Sequence, residues 1–247
     1  MARADMNFSG RVANLIYYKM YGKTFVRAAP VRVRQTKATK ASGLSFGLAS
    51  RLGSAIRNQL FTVIPDPKDH QMQVRLVSAV YQRLKAAGGN PAGLADRPDL
   101  IKGFSFIEKT RYFRHRWKVG IQVINPSSGL VQVKIPAFIP ADVMEAPKDT
   151  TSVTCKFAAG VSDVKTGMSL GSAAFEFNLT YNNEPVAEQT ISFKLPTPEG
   201  SLIVTGASLQ YKINNGRYMM INTNKNFLPA EILDAKYITS LNLKDPS

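Results

Sequence analysis

The stretch Lys109-Thr-Arg-Tyr-Phe-Arg-His-Arg-Trp-Lys118 interleaves five Lys/Arg cations with three aromatics. Cations pair with phosphates and flat rings stack on bases, so such a stretch suits contact with a nucleic acid. Read as a strand, it carries Arg111, Phe113, His115 and Trp117 on one face and Tyr112, Arg114, Arg116 and Lys118 on the other. The second face is mostly charged, so a sandwich strand with a wet outer surface explains it equally well. A basic arm, Arg27, Arg32, Arg34, Lys37 and Lys40, has the same two readings. It is a solvated connector, or it reaches over an acidic or nucleic-acid partner. The expected contacts to an anionic partner are therefore Arg27, Arg32, Arg34, Lys37, Lys40, Arg111, Arg114 and Arg116. No helix-turn-helix, zinc-finger or RNA-recognition signature accompanies them, so nothing here reads a base sequence.

Catalytic chemistry finds less to work with. Acyl transfer by a Ser/His/acid set needs a histidine beside a nucleophile, and only His70 and His115 exist, with no G-x-S-x-G elbow. Asp142, Glu145, Asp149, Asp163, Glu184 and Glu199 are scattered over turns, so no carboxylate pair stands out for glycosidase chemistry. There is no P-loop, no GxGxxG after a strand and no EF-hand loop. Two histidines and one cysteine exclude the usual soft-ligand zinc sites. Cys155 cannot form an internal disulfide, and its strand-like setting predicts a buried, inert thiol. These residues point to a protein that is not an enzyme and needs no cofactor or metal, with no small-molecule substrate identified.

The charge is distributed in a step. The formal net charge of +15 over 247 residues splits into +10 for residues 1–60, +6 for 61–120 and −1 for 121–247. Such asymmetry predicts two modules with different partners, the basic one attracting nucleic acid, an anionic surface or acidic protein. Hydrophobic residues make up 44%, enough for a proper core. No apolar run reaches the roughly 18 residues that cross a bilayer. Arg3, Asp5, Arg11 and Lys19 interrupt any secretory signal, which leaves the compartment open, with a cytoplasmic or virion-associated location favoured.

The elements that must position these residues follow from periodicity. Val12–Met20, a turn at Tyr21-Gly22 and Lys23–Arg27 predict a β-hairpin, followed by an extended arm Val31–Arg34. A lone hairpin is marginal in water, so it must dock on the rest of the chain or on another molecule. Leu44, Leu48, Leu52 and Ile56 recur every four residues and predict a helix over 36–60. Gly43, Gly47, Ser50 and Ser54 line a second face, where small residues suggest a close backbone approach. A second helix is expected from Asp66 as N-cap and Pro67 as first residue, with Met72, Leu76, Val80 and Leu84 as its ridge, antiparallel to the first. The turn-rich 88–98 is the expected boundary between a 1–98 module and a 99–247 domain.

Beyond Gly103 the period becomes two, as in Val131, Val133 and Ile135, Phe175, Phe177 and Leu179, and Ile191, Phe193 and Leu195. Trp117–Ile124, Thr151–Ala158, Leu202–Thr205, Ala207–Ile213, Arg217–Asn222 and Pro229–Ile238 are further strands, with a tight hairpin at Asn214-Asn215-Gly216. The expected fold is α+β: an N-terminal β-hairpin plus helical pair, followed by an antiparallel β-sandwich.

Gly10-Arg-Val-Ala-Asn-Leu-Ile-Tyr-Tyr18, Gly22-Lys23, Val26-Arg27 and Pro30, then Gln35-Thr36, Thr39 and Phe46-Gly-Leu-Ala49, carry a resemblance. This pattern of a G-(R/K)-V-x-N-hydrophobic-Y-Y strand, a G-(K/Q) turn and a V-R-x-x-P return resembles uncharacterised proteins found in several copies in Bacteroidota genomes and associated mobile elements. The match spans about 50 residues by the count of that pattern. It implies a shared N-terminal module and no transferable activity.

Taken together, these features favour a structural protein that assembles with its own copies or with other components, as in a virion-like particle or fibre. Tyr17, Tyr18, Phe25, Gly43 and Gly47 are its expected joints. The alternative is a nucleic-acid-binding protein that uses its basic half.

Overall fold

Strands buried on one face alternate in sequence, whereas strands buried on both faces do not, and both kinds occur here. A computed structural model of the chain describes residues 9–30, 36–86, 101–110, 113–124 and 129–238. The chain divides into two units, residues 1–40 and 41–247. The arm 31–34 and the linker 88–98 lie outside the described residues.

In the first unit, β1 (Gly10–Val12), β2 (Leu15–Met20) and β3 (Lys23–Ala28) form an antiparallel sheet in that order. The sequence suggested a single strand over Val12–Met20. A tight turn at Ala13-Asn14, with Ala13 in the left-handed region at φ 52°, folds it into two and adds the third strand.

In the second unit, β6 (Thr150–Asp163) and β9 (Ser201–Asn214) are the centre of a large antiparallel sheet. β7 (Ser169–Thr180) pairs with the outer side of β6. β11 (Ala230–Tyr237) covers the first half of β9 and β10 (Met219–Ile221) the second. A small sheet, β4 (Gln122–Ile124), β5 (Leu130–Ile135) and β8 (Gln189–Lys194), lies over one face. Its inward side chains, Val131, Val133, Ile135, Ile191 and Phe193, share a core with Val153, Cys155, Phe157, Ala159 and Val161 of β6. This is the sandwich that the period-two pattern announced.

The opposite face of the large sheet carries the helices. α1 (Lys37–Gln59) and α2 (Met72–Ala86) bury Leu48, Leu52, Ile56, Leu76, Val80 and Leu84 against Ala158, Leu202, Val204 and Ile232. Phe46 meets Tyr81 edge-on at 5.7 Å, and a Cβ on Gly53 would come within 2.9 Å of Val77 Cγ2. The pairing of 46 with 81 and 53 with 77 makes the helices antiparallel, as expected. Their intimate contact is at Gly53, not at Gly43, where a Cβ would meet nothing within 4 Å. Leu44 does not join the apolar stripe and is 76% exposed.

α1 rests directly on the sheet. Gln59 donates from Nε2 to the Val161 carbonyl at 2.6 Å and to Ser169 Oγ at 2.7 Å, and its Oε1 accepts from Ser162 at 3.2 Å. A Cβ on Gly160 would fall 2.5 Å from Gln59, and one on Gly206 3.2 Å from Leu60 Cδ1. Side chains at these points would lift the helix off the sheet. The same glycine explains a second departure from expectation, since Leu202–Thr205 and Ala207–Ile213 form one strand and Gly206 does not break it.

Helix α2 begins at Met72, five residues later than Pro67 would place it. Its cap is Asp69, whose Oδ1 accepts from Gln71 N at 2.9 Å and whose Oδ2 meets Arg75 Nη2 at 2.8 Å. Burial alone would raise the Asp69 carboxyl. The Gln71 N–H, the Arg75 guanidinium and the Glu108 N–H outweigh it and hold the group below its ordinary value. Burial pushes the Cys155 thiol far up, which keeps it protonated and inert.

Two outcomes follow. Gly160→Ala should lower stability by about 1–3 kcal/mol through overpacking against Gln59, whereas Gly43→Ala should raise it by about 0.5–1 kcal/mol; urea unfolding measures both. Because folded Asp69 binds its proton less readily than the unfolded chain does, it stabilises the fold above the ordinary carboxylate range, about pH 4. That contribution is lost as pH falls through the lowered value. Asp69→Asn should therefore flatten the acid limb of a stability–pH curve while lowering stability at neutral pH.

Candidate functional site

The three-stranded sheet of residues 10–28 has two chemically different faces. Register places Ile16 opposite Arg27, Tyr18 opposite Phe25 and Met20 opposite Lys23, with Arg11 of β1 opposite Ile16. Directly opposed residues share a face, and the period of two brings alternate residues to it. Tyr18 and Phe25 stack with centroids 5.7 Å apart and planes 22° from parallel, and Arg27 Cζ lies 5.6 Å from the Tyr18 centroid. This face therefore holds stacked rings among the cations Arg11, Lys23 and Arg27. The other face collects Val12, Leu15, Tyr17, Val26 and Ala28, with the Lys19–Thr24 pair at its far end. It is mostly apolar, yet Val12 is 50% and Val26 52% exposed.

Tyr18, Phe25 and Arg27 of the expected site thus come together, and Tyr17 lies on the reverse face. Arg11, Lys23, Val12, Leu15 and Val26 were missed. Their signal was present in the pairing across the Ala13-Asn14 and Tyr21-Gly22 turns, and a single long first strand conceals it. Lys37 and Lys40 stand exposed on the first turn of α1, where Thr36 Oγ1 accepts from Thr39 N at 3.1 Å. Gly43 is exposed, and Gly47 has only the Arg51 side chain within 4 Å of a Cβ position. Arg32, Arg34 and Arg111 lie outside the described residues.

The stretch around Arg114 and Arg116 is not a strand. Phe113–Arg116 forms a single helical turn, α3, and only Gln122–Ile124 of the expected strand Trp117–Ile124 is extended in a sheet. Phe113 and Trp117 are four residues apart, a spacing that fits one side of a helical turn as well as one face of a strand. Both are buried, with rings 5.7 Å apart, and Trp117 also meets Phe138 at 5.3 Å. The buried carboxylate of Glu231 fixes the turn by accepting from Phe113 N at 2.9 Å.

Arg116 is consequently an internal residue. It is 4% exposed, pairs with Glu145, donates to the Asn226 carbonyl at 2.8 Å and lies 4.1 Å over the Phe227 ring. Its charge is spent holding α3 to the 144–146 and 225–227 loops. Arg114 points outward, with a side chain 62% exposed and one contact to Glu231 at 3.3 Å. His70 is exposed, and His115 lines an open recess with Arg75, Ser105, Glu108 and Thr110. Among the described residues, no group of three His, Cys, Asp or Glu is placed to hold a metal ion. No helix among them is long and apolar enough to cross a membrane.

No protein family and no curated protein matches the chain. Among solved structures, the E. coli curli protein CsgC aligns with 10% identity over 42% of this chain and 93% of its own, at a TM-score of 0.18. A protein from Archaeoglobus fulgidus aligns with 10% identity over 49% of this chain and 97% of its own, at a TM-score of 0.20. Superpositions this poor carry no inference about fold or role.

Proposed function

We propose that the protein is a non-catalytic component of a larger assembly, made of its own copies or of other subunits, which it joins through the N-terminal sheet. The observation that carries this reading is the absence of a core in that unit. Among the described residues, no buried hydrophobic side chain precedes Leu48. A unit of about 40 residues usually needs a disulfide, a metal or association to stay ordered. The chain's one cysteine, Cys155, lies in the other unit. Association with another polypeptide would supply the missing burial, and the mostly apolar face of Val12, Leu15, Tyr17, Val26 and Ala28 offers a surface for it. β1 and β3 are the outer strands of this sheet among the described residues, and their outer backbone groups suit strand addition.

The opposite face favours a second reading. Stacked Tyr18 and Phe25 ringed by Arg11, Lys23 and Arg27 suit an anionic polymer with flat bases. In that reading the basic half binds nucleic acid, with a steep dependence on salt.

Size-exclusion chromatography with light scattering, at low and high salt and with and without DNA, separates the two. Association through the apolar face should give particles larger than a monomer without DNA, and these should persist in high salt. Deleting residues 1–30 should abolish them while leaving the sandwich folded by circular dichroism. A monomer that shifts only on adding DNA, and only at low salt, would replace the first reading with the second. Normal assembly by the truncated chain would place the joint elsewhere.

A further inference from the structure

Strand β7 is an edge of the large sheet, and a long one. It runs 12 residues, Ser169–Thr180, against the roughly five or six of a common strand. One side pairs with β6 in unbroken register from Gly171 to Thr180. Among the described residues, no backbone group of β7 is hydrogen-bonded on the other side. Exposed edges are commonly protected by a proline, a bulge or a lysine, and Gly171–Thr180 has none of these. Its only charge is Glu176. We propose that β7 pairs antiparallel with β7 of a second copy, about a twofold axis at Ala174, making one sheet continuous across two subunits.

Three observations select a second copy and that register. First, the strand is complementary to itself in size. In a twofold antiparallel pair, residues equidistant from the axis face each other. An axis at Ala174 sets Phe175 against the partner's Ala173 and Phe177 against the partner's Gly171, so each ring meets a small residue. Phe175, 46% exposed and 6.3 Å from Phe177, gains cover. Pro196 lies over Gly171, 3.2 Å from a Cβ position, and gives the partner's Phe177 a ring to pack beside. Second, this axis keeps the carboxylates apart. Glu176 faces the partner's Ser172, whereas an axis two residues on would oppose two Glu176 side chains, each 64% exposed, and like charges directly opposite are destabilising. Third, pairing residues 170–178 with their copies adds roughly ten backbone hydrogen bonds, as many as a stable interface commonly carries. None of this depends on the N-terminal sheet.

Cys155, the chain's one cysteine, is buried, so an added surface cysteine reacts alone. Ala174 is exposed, and Ala174→Cys sets two thiols face to face across the axis, within reach of a disulfide. Thr180→Cys, exposed at the end of the strand, lies far from its own copy in this register. Oxidised in the full-length protein and followed by non-reducing electrophoresis, Ala174→Cys should form a covalent dimer on the order of tenfold faster than Thr180→Cys. Adding Ser172→Glu to Ala174→Cys should slow the linkage, because that carboxylate faces the partner's Glu176, and adding Ser172→Lys should speed it. Random collisions of a chain at +15 would respond with the opposite sign. Circular dichroism checks that each variant is folded, and if either Ser172 variant is not, the comparison of Ala174→Cys with Thr180→Cys decides. The bond forms at this edge alone, so the result stands apart from whether the N-terminal sheet joins subunits. The proposal is overturned if Ala174→Cys links no faster than Thr180→Cys, or if Ser172→Glu speeds the linkage.

Discussion

The helical side of the large unit depends on one close approach, the carboxamide of Gln59 laid against the bare backbone of Gly160. A buried amide must satisfy its polar atoms, and here Val161, Ser162 and Ser169 do so on the sheet itself. That fixes the end of α1 over β6, brings Leu60 down onto Gly206, and leaves Leu48, Leu52 and Ile56 facing the sheet. With the small sheet on the other side, β6 and β9 become the middle layer of three and are buried on both faces. Asp69 and Arg75 then tie α2 to the 105–108 segment, so the second helix inherits its place from the first.

This arrangement explains what could be read from the chain. β5 and β8 face water on one side, so their alternation stood out, and their inward residues are the buried ones. β9 is buried on both sides, lacks alternation, and contains a glycine that reads as a break until Leu60 is seen above it. The glycines of α1 showed the converse difficulty. Spacing drew attention to Gly43 and Gly47, but which small residue receives a neighbour depends on the partner helix, and Val77 selects Gly53. The turn at Phe113–Arg116 was obscured for a different reason. A spacing of four satisfies both periods, and only Glu231, more than a hundred residues away, decides between them by capping Phe113.

The candidate site was half legible for related reasons. Aromatic and basic residues near the N-terminus were evident, and Tyr18, Phe25 and Arg27 do meet. Their division into an aromatic-cationic face and an apolar face required the cross-strand register, which one unrecognised turn at Ala13-Asn14 had hidden. Arg116 illustrates the opposite error, because a cation in a basic cluster reads as a surface residue until its burial against Phe227 and Glu145 is known. The positive excess of the first half is therefore not one continuous surface. Part of it is internal wiring, and part faces outward from a sheet that, among the described residues, has no buried hydrophobic side chain.

We propose that this sheet becomes ordered by burying its mostly apolar face against another polypeptide. Amide hydrogen exchange of residues 15–28, followed over a range of protein concentrations at high salt without nucleic acid, addresses it directly. Protection of these amides should rise with concentration, while that of β6 and β9 stays constant. Equal protection of residues 15–28 at every concentration would contradict the account.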